Sequence, residues 1–249
     1  MLKKYTCLIA AVLIMSPMLM AQTLEEVVVT AQIREQSLQD VPISISAISG
    51  EDIADRSVDN LQSLSASVPN FMVVETQIDT SISIRGVRSG ANKGFEQSVP
   101  MNFDGIVYPR SQLARTPLVD LERVEVLRGP QPTLFGKNAI GGAVSVTSAK
   151  PTEEFEGKFS TSHESEHGED QSLLVLSGPL SDNLLGRLTV STREMDGWIT
   201  NTKMKRLEPQ RDETYIRGQL AWTSGDVDYN LKVETADFDS TGYAMEAIA

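Results

Sequence analysis

The chain has 249 residues and carries a formal net charge of −12. So acidic a balance argues against nucleic acid as a partner, because binding to a phosphate backbone requires clustered cations. The length is compatible with one or two domains. The chain has one cysteine, Cys7, which leaves no pair for an internal disulfide and no thiolate-rich metal site.

The first 21 residues have the pattern of a secretory signal peptide. Two lysines precede an apolar stretch that ends at the small residue Ala21. A membrane anchor is the alternative, but Ser16 and Pro17 interrupt the stretch, and a membrane span needs about 20 apolar residues. We therefore predict a signal peptide over residues 1–21 that is cleaved after Ala21 and takes Cys7 with it.

Residues 22–40 form a segment and linker that contains one strand-like run. The run reads LEEVVVTAQ, from Leu24 to Gln32. Its three valines favour a strand, and a free strand edge is an aggregation hazard that proteins normally cover. A free edge at this position would be available to another chain for strand addition.

Residues 41–151 read as a mixed α/β unit. Val41 to Ser49 alternates apolar residues with serines, which predicts a half-buried strand. Ser49 and Gly50 then start a short helix, and Ser57 is the predicted cap of a second helix within VDNLQSLSASV. Short strands follow, punctuated by Gly and Pro, in the segments FMVVET, SISIRG, PMNFDGIVYP, RVEVLRG and GAVSVTS. We expect exposed loops at Arg88–Ser98 and Tyr108–Thr116.

Residues 152–249 show a different pattern. In LLGRLTVSTR, YIRGQLAW and VDYNLKVET, apolar side chains alternate with polar and charged ones. This alternation is typical of transmembrane barrel strands, which are apolar outside and polar inside. A soluble sandwich alternates similarly, but the short turns SGPLSDN and TSGD and the long polar loop DGWITNTKMKRLEPQRDET favour a barrel, whose two rims differ in this way.

The length of this second region sets a limit on the barrel. It is enough for about five strands, whereas a membrane barrel needs at least about 8 and cannot leave open edges in lipid. We therefore expect an incomplete antiparallel barrel and interpret the chain as the front part of a larger protein.

No grouping of residues predicts catalysis or a bound cofactor. His163 and His167 are the only histidines, and their spacing suits zinc only on a helix, whereas the segment SHESEHGEDQ predicts a solvated hairpin loop. GPQPTLFGKNAIGG lacks the spacing of a phosphate-binding loop. We expect no enzymatic activity, no metal and no cofactor.

Two arginines each end an apolar strand. Arg85 follows SI in SIRG, and Arg128 follows VL in VLRGP. They either cap strand ends at the surface or pair with a carboxylate inside a larger assembly, where buried arginines require a partner. The sequence leaves both possibilities open.

Taken together, these segments resemble the TonB-dependent receptors of Gram-negative outer membranes. EEVVVTA is similar to the TonB box. The segments that resemble successive parts of the family's plug domain are QDVPISISAISGEDI, LQSLSASVPNF, ISIRGVRS, FDGIVYPR and LERVEVLRGPQPTLFGKNAIGGAVSVTSAKP. Pro132 departs from the pattern, since many relatives carry a small residue there, and we expect that turn to differ locally.

The resemblance implies an architecture and a transport function. An α/β plug domain, a mixed sheet with short helices, would sit in an outer-membrane barrel of about 22 strands. The implied function is active uptake of a scarce, bulky ligand such as a ferric siderophore, cobalamin or an oligosaccharide. The implied partners are TonB with its inner-membrane energising complex, outer-membrane lipid, and a small-molecule or glycan ligand.

The resemblance also assigns roles to individual residues. Arg85 and Arg128 match plug arginines that pair with barrel-wall glutamates in relatives. The TonB-binding residues are Glu25, Glu26, Val27, Val28, Val29, Thr30 and Ala31. The cations on the two ligand-facing loops are Arg88, Lys93, Arg110 and Arg115, which either meet an anionic ligand or pair with acids of the barrel lumen.

Two other classes of protein remain as alternatives at this stage. One is a stand-alone periplasmic binding or signalling module with a plug-like fold. The other is a secreted enzyme, which the absence of a catalytic grouping disfavours. The charged-inside alternation after Pro151 argues against the first, because a soluble module has no use for a lipid-facing band.

Overall fold

The computed structural model of the chain describes residues 28–29, 36–37, 43–75, 80–89, 96–166 and 168–242. The predicted signal peptide lies outside these residues. In the linker, strands β1 (Val28–Val29) and β2 (Gln36–Ser37) pair in antiparallel fashion. Within the described residues, no helix is long and apolar enough to cross a membrane.

A mixed five-stranded sheet organises the N-terminal unit, which we define as residues 43–151. Its strand order is β3-β9-β10-β7-β8, with β7 parallel to β10 and the other neighbours antiparallel. The strands are β3 (Ser44–Ser49), β7 (Met101–Phe103), β8 (Ile106–Tyr108), β9 (Leu121–Arg128) and β10 (Gly142–Ser148). The mixed sheet with short helices that the sequence predicts is confirmed.

Two short helices follow β3, and one of them begins later than predicted. Helix α1 (Gly50–Asp55) has Ser49 as its N-cap, whose hydroxyl accepts a hydrogen bond from Asp52 N at 3.0 Å. Helix α2 (Leu61–Ser65) is capped by Asn60 in a capping box. The prediction that Ser57 caps this helix is wrong, because Ser57 has φ 51° and lies in the turn before it.

A second, three-stranded sheet and one apolar core complete this unit. The strands are β4 (Phe71–Glu75), β5 (Thr80–Ile84) and β6 (Val87–Arg88). Leu64, Ile84, Val124 and Val144 are completely buried within a cluster that joins the helices to both sheets. Burial of these aliphatic side chains supplies most of the driving force for folding the unit.

Turn chemistry accounts for three local features. PMNFDGIVYP forms the hairpin β7–β8 and not a single strand, because Asp104 and Gly105 take positive φ values of 47° and 86°. The expected loop at Tyr108–Thr116 contains a 3-10 helix, Ser111–Arg115. Helix α3 (Pro132–Phe135) has Pro132 in its first turn, a position that proline tolerates.

The second region is one antiparallel sheet of five strands in the order β11-β12-β13-β16-β17, the number predicted. We call it the long-stranded sheet. Its strands are β11 (Glu156–Glu164), β12 (Glu169–Ser181), β13 (Leu184–Met195), β16 (Gln210–Ser224) and β17 (Val227–Thr241). The long polar loop between β13 and β16 contains a hairpin, β14 (Ile199–Asn201) and β15 (Arg206–Glu208).

The alternation predicted for these strands is confirmed. Leu188, Leu220, Leu231 and Val233 lie on the outward face with 39% to 64% of their surface exposed. Arg217, on the opposite face, is 2% exposed. A sheet with bare leucines outside and a buried arginine inside has the polarity of a membrane barrel wall.

Gly142 provides a test of the packing between β9 and β10. It has φ +148°, and a Cβ there would collide with the backbone oxygen of Leu127 and lie 2.9 Å from Ile84 Cδ1. We expect Gly142→Ala to lower the free energy of unfolding by about 2–5 kcal/mol, from backbone strain plus overpacking. Urea unfolding of the protein in detergent micelles measures the change.

Gly136→Ala is the matched control. Gly136 also has a positive φ, 87°, but a Cβ there meets nothing within 4 Å. Its cost should be confined to backbone strain, about 1–3 kcal/mol. Equal effects of the two substitutions would contradict the close approach at Gly142.

Candidate functional site: the charged contact between the N-terminal unit and the long-stranded sheet

The inward face of the long-stranded sheet lies against the N-terminal unit and contacts it mainly through charged side chains. One group of these contacts comes from the end of the five-stranded sheet where β7 and β10 end and β9 begins. Asp104 follows β7, Asp120 precedes β9, and Ser148 ends β10. We call the contacts of these three residues with the long-stranded sheet the charged seat.

Asp120 is the centre of the charged seat. Its Oδ1 accepts a hydrogen bond from Arg187 Nη2 at 2.5 Å, and its Oδ2 accepts one from Arg217 Nη2 at 2.9 Å. The Thr189 hydroxyl donates to the same carboxylate. The side chains of Asp120, Arg187 and Arg217 are 6%, 9% and 2% exposed, so solvent screens these charge pairs little.

Arg217 also binds the backbone of the N-terminal unit. Its Nη2 donates to the carbonyl oxygen of Asp120 and, at 3.4 Å, to that of Val119. Its Nη1 donates to Ser148 Oγ at 3.1 Å. Asp120 has φ 52°, and this bend presents both its carbonyl and its carboxylate to one guanidinium. The planar fork of arginine suits this arrangement, which a lysine ammonium would not reproduce.

Asp104 makes the second contact of the seat. Its Oδ2 accepts a hydrogen bond from Lys232 Nζ at 2.6 Å, and its Oδ1 accepts one from Ser148 N at 2.7 Å. The turn residue Asp104 therefore ties β7 to the end of β10 and both of them to β17. Lys232 also lies 3.4 Å from Glu234 on its own strand.

Asp59, just before α2, forms a separate contact with the long-stranded sheet. Its Oδ2 accepts a hydrogen bond from Gln171 at 3.2 Å and lies 3.9 Å from Arg193 Nη2. Arg193 is also bound by Glu169 at 3.0 Å. Asp59 therefore shares a cation that already has a carboxylate partner.

The three aspartates respond differently to this environment. Burial by itself raises the pKa of Asp104 and of Asp120. Hydrogen bonds from Lys232 and Ser148 lower the pKa of Asp104 by more than burial raises it. Hydrogen bonds from Arg187 and Thr189 do the same for Asp120. Both pKa values therefore lie below their ordinary range. For Asp59, burial outweighs the attraction of Arg193 and raises the pKa.

The two predicted pairing arginines lie within the N-terminal unit. Arg128 donates to backbone carbonyls of Pro69 at 3.4 Å and Ile45 at 3.5 Å. Arg85 has φ 51°, and its side chain extends to Gly129. A Cβ built on Gly129 would lie 3.8 Å from Nη1 of Arg85. Among the described residues neither arginine has a carboxylate partner, and the buried Arg128 Nε has no hydrogen-bond partner.

The structure describes three of the four cations predicted on the two loops. Arg88 lies in β6, and Arg110 is exposed where the 3-10 helix begins. Arg115 Nε lies 3.2 Å from Glu75 Oε1, so it pairs with an acid of its own unit. Lys93 lies outside the described residues.

The TonB-binding run and the histidine segment are described in part. Of the seven predicted residues only Val28 and Val29 are described, as β1, and the remaining five lie outside the described residues: Glu25, Glu26, Val27, Thr30 and Ala31. His163 Nδ1 lies 2.8 Å from Asp170 Oδ1 at the end of the β11–β12 hairpin. No cluster of His, Cys, Asp or Glu among the described residues has the geometry of a metal site.

Comparison with known proteins decides what kind of molecule this is. Residues 37–143 match the family model described as the TonB-dependent receptor plug domain. The chain belongs to the TonB-dependent outer-membrane receptors. The N-terminal unit is thus a plug domain, and the family and outer-membrane localisation predicted from the sequence are confirmed.

The relatives and a solved structure agree with this assignment. An iron-regulated outer membrane virulence protein of Vibrio cholerae is 35% identical over 188 residues, covering 70% of this chain and 28% of the relative. A pesticin receptor of Yersinia pestis is 30% identical over 162 residues, covering 64% and 24%. The pyoverdine outer membrane receptor of Pseudomonas aeruginosa is 20% identical with a TM-score of 0.72, covering 86% and 30%.

These matches bear on two further predictions. The chain spans about a quarter of the length of the curated relatives it matches. The relatives are receptors, which confirms the prediction that the chain is not an enzyme. The pyoverdine receptor shares the fold of a plug followed by antiparallel strands, which confirms the predicted fold class.

Sequence reasoning missed the charged seat. Asp120, Arg187 and Arg217 are separated by up to 97 residues along the chain, and no local pattern links them. One signal was available: Arg187 and Arg217 both occupy inward positions of alternating strands, where a charge requires a partner. The partner itself, an aspartate at a strand start, has no distinguishing sequence context.

Replacing Asp120 tests the energetic weight of the seat. Asp120→Asn removes the carboxylate from two buried guanidinium groups. We expect the free energy of unfolding to fall by about 3–5 kcal/mol, because breaking a buried ion pair leaves uncompensated buried charge. Urea or thermal unfolding in detergent micelles measures the loss.

Asp52→Asn is the control for removing an aspartate charge. Asp52 pairs with Arg56 at 3.3 Å, but the two side chains are 50% and 57% exposed, so this pair should contribute no more than about 1 kcal/mol. A loss at Asp120 as small as the loss at Asp52 would show that the seat contributes little to stability.

The lowered pKa of Asp120 predicts a pH dependence. A carboxylate whose folded-state pKa is depressed stabilises the fold above its ordinary value of 3.8, and the contribution is lost as the pH falls through the lower folded-state value. The stability difference between the wild type and Asp120→Asn should therefore narrow below about pH 3.8, as measured by unfolding at a series of pH values.

Asp59→Asn should show the opposite trend. The raised pKa of Asp59 means that its stabilising contribution is present at low pH and is lost as the pH rises through the folded-state value. This variant should cost less at pH 7 than Asp120→Asn. Parallel pH profiles for the two variants would refute the assignment of opposite pKa shifts.

Proposed function

We propose that this chain is the N-terminal part of a receptor that takes up a scarce, bulky ligand across the outer membrane with energy supplied through TonB. The observation that carries the proposal is the charged seat: a plug domain bound through Asp120 to the inward face of strands whose outward face is apolar. The proposed organisation is a signal peptide over 1–21, a TonB-box segment and linker over 22–40, a plug over 41–151 and barrel strands over 152–249.

A charged contact suits a gate that must open and close again. Separated apolar surfaces would expose hydrocarbon to water, which is unfavourable in proportion to the exposed area. Separated ions are instead hydrated, and the hydration offsets much of the lost attraction. The contacts of Asp120 and Asp104 can therefore hold the plug closed and still release when it is pulled.

The linker offers TonB a place to bind. β1 pairs with β2 along one edge, and the two-stranded sheet leaves the other edge of β1 without a partner strand among the described residues. Strand addition to an exposed edge supplies main-chain hydrogen bonds to a partner. We place TonB, energised from the inner membrane, on the run Glu25 to Ala31.

Arg85 and Arg128 are proposed to pair with carboxylates of the barrel wall. Both lack such a partner among the described residues, and Arg128 Nε is buried without one. A guanidinium in that setting favours a carboxylate strongly. These two arginines would hold the plug by a second contact, separate from Asp120.

A ferric siderophore is the ligand class we favour, because a 35% identical relative from Vibrio cholerae is an iron-regulated outer membrane protein. Cobalamin and oligosaccharides remain the other candidates. Arg88, Lys93, Arg110 and Arg115 are the proposed ligand-facing cations. Arg115 is the weakest of these, since Glu75 already neutralises it.

A stand-alone periplasmic binding or signalling module is the second candidate function. The plug fold alone would permit it. The outward row of the long-stranded sheet argues against this candidate. Its members include Leu231 and Val233, which are 58% and 64% exposed. A soluble module of this length rarely exposes so continuous an apolar band.

Growth and uptake measurements distinguish the candidates. A deletion strain is restored with the gene and supplied with a panel of ferric chelates, cobalamin and glycans. We expect restored, TonB-dependent growth on at least one ferric chelate. Growth that is the same with and without the gene on every compound would overturn the transport proposal.

Proline at Val28 tests the role of the linker strand. Val28→Pro removes a backbone N–H and resists strand pairing. We expect ligand binding to cells to be unchanged and energised uptake to be lost, with uptake of labelled ligand as the measurement. Val28→Thr keeps the N–H and the β-branched side chain and should transport normally; normal uptake by Val28→Pro would refute strand addition at this position.

A further inference from the structure

The outward face of the long-stranded sheet contains a groove where side chains are missing. Gly178, Gly186 and Gly218 occupy outward positions on three neighbouring strands, β12, β13 and β16. Phe155 covers Gly178 and Leu180 covers Gly186, whereas a Cβ at Gly218 would meet nothing within 4 Å, so the floor of the groove is open at Gly218. The cavity measures about 580 Å³. Most of its lining side chains are apolar, among them Phe155, Leu176, Leu180, Leu220, Leu231 and Val233, and Ser177, Arg187 and Gln219 also line it.

The backbone beneath the groove offers nothing to a polar occupant. Gly218 lies opposite Leu188 on one side and Val233 on the other, within continuous strand ladders. Its neighbouring N–H and C=O groups are therefore engaged in the sheet. A peptide at membrane depth must satisfy its own backbone polar groups, and this groove provides no partner for them. The chemistry favours an unbranched hydrocarbon.

The position of the groove relates it to one membrane leaflet. Trp222 and Tyr229 lie opposite each other near the tight turn at Gly225 and stack with their ring centroids 5.1 Å apart. Outward aromatic side chains near strand ends mark the level of the lipid headgroups. Gly218 lies four residues from Trp222, which is about 13 Å along the strand. Each leaflet contributes about 15 Å of hydrocarbon, so the groove lies within the leaflet that adjoins this turn.

We propose that this groove binds one acyl chain of a membrane phospholipid, whose headgroup lies at the level of Trp222 and Tyr229. The groove is continuous with the apolar outward face, which the outer-membrane localisation of the family places against lipid. The open floor at Gly218 lets the acyl chain lie below the surrounding side chains, so it is held in place and does not merely slide over the wall. The proposal rests on the proposed function only in requiring that the sheet lies in the membrane.

Filling the floor tests the proposal. Gly218→Leu places a side chain in the open part of the groove, where nothing lies within 4 Å of its Cβ. The control is Ile216→Phe, which adds volume on the same strand and face but does not line the groove. The protein is extracted from outer membranes in a mild detergent and examined by native mass spectrometry for retained phospholipid.

A second readout gives the affinity. A phospholipid with a parinaroyl chain is titrated into each protein in detergent, and energy transfer from Trp222 reports its binding. We expect Gly218→Leu to lose the retained phospholipid and to bind the parinaroyl lipid at least fivefold more weakly, while Ile216→Phe matches the wild type.

Three outcomes would overturn the proposal. They are unchanged lipid retention in Gly218→Leu, an equal loss in both variants, and a wild-type mass that shows a second copy of the chain in place of lipid. Uptake by the same variants separates this inference from the transport function. If uptake is normal and Gly218→Leu binds lipid as the wild type does, only the groove proposal is overturned. If Gly218→Leu alone loses lipid but neither the wild type nor any variant shows uptake, only the transport function is overturned.

Discussion

The contact of Asp120 with Arg187 and Arg217 is the interaction on which the arrangement of the two regions depends. An arginine on the inward face of a membrane wall needs a partner, because a buried charge without one is costly. Here the partner is a plug residue at the start of β9, with its pKa held below the ordinary value. The plug therefore completes the inside of the wall, and the wall fixes the position of the plug.

The geometry of the mixed sheet concentrates this contact at one end. Because β7 and β10 run parallel and β9 runs opposite to them, Asp104, Asp120 and Ser148 come together at one end of the sheet. Edge strand β3 reaches the same end only through its last residues and pairs with β9 alone. The segment that enters the plug from the linker is thus joined to an edge strand of the sheet, and the central strands carry the contacts of the charged seat.

The alternating pattern of the long-stranded sheet gives its two faces different side chains. The inward row carries Arg187, Arg217 and Lys232, each paired with the plug, and the outward row carries leucines and valines. Period-two alternation makes the two requirements independent, since successive side chains point to opposite faces. Replacing Gly218 by a larger residue alters the outward row and leaves the charged seat untouched.

The sequence by itself determined the element types, the strand alternation, the number of long strands and the family. These are local properties: β-branched runs, turn residues and short motifs such as VEVLRGP act through neighbouring residues. It failed at the cap of α2, because serine and asparagine both cap helices and only the backbone path shows that Ser57 lies in the preceding turn. The segment PMNFDGIVYP was also interpreted as one strand, whereas it forms the β7–β8 hairpin. An Asp-Gly pair can lie within a strand or form the turn between two strands.

Only the tertiary structure decided which charges meet. Asp120 and Arg217 are 97 residues apart, and any inward cation of the wall was equally available to any acid of the plug. The pairing of Arg115 with Glu75, an acid of its own unit, likewise depends on long-range packing. The groove likewise follows from strand register, which pairs Gly178 with Gly186 and sets Gly218 opposite Leu188. Local sequence fixes which face a residue occupies, and long-range packing fixes its neighbour.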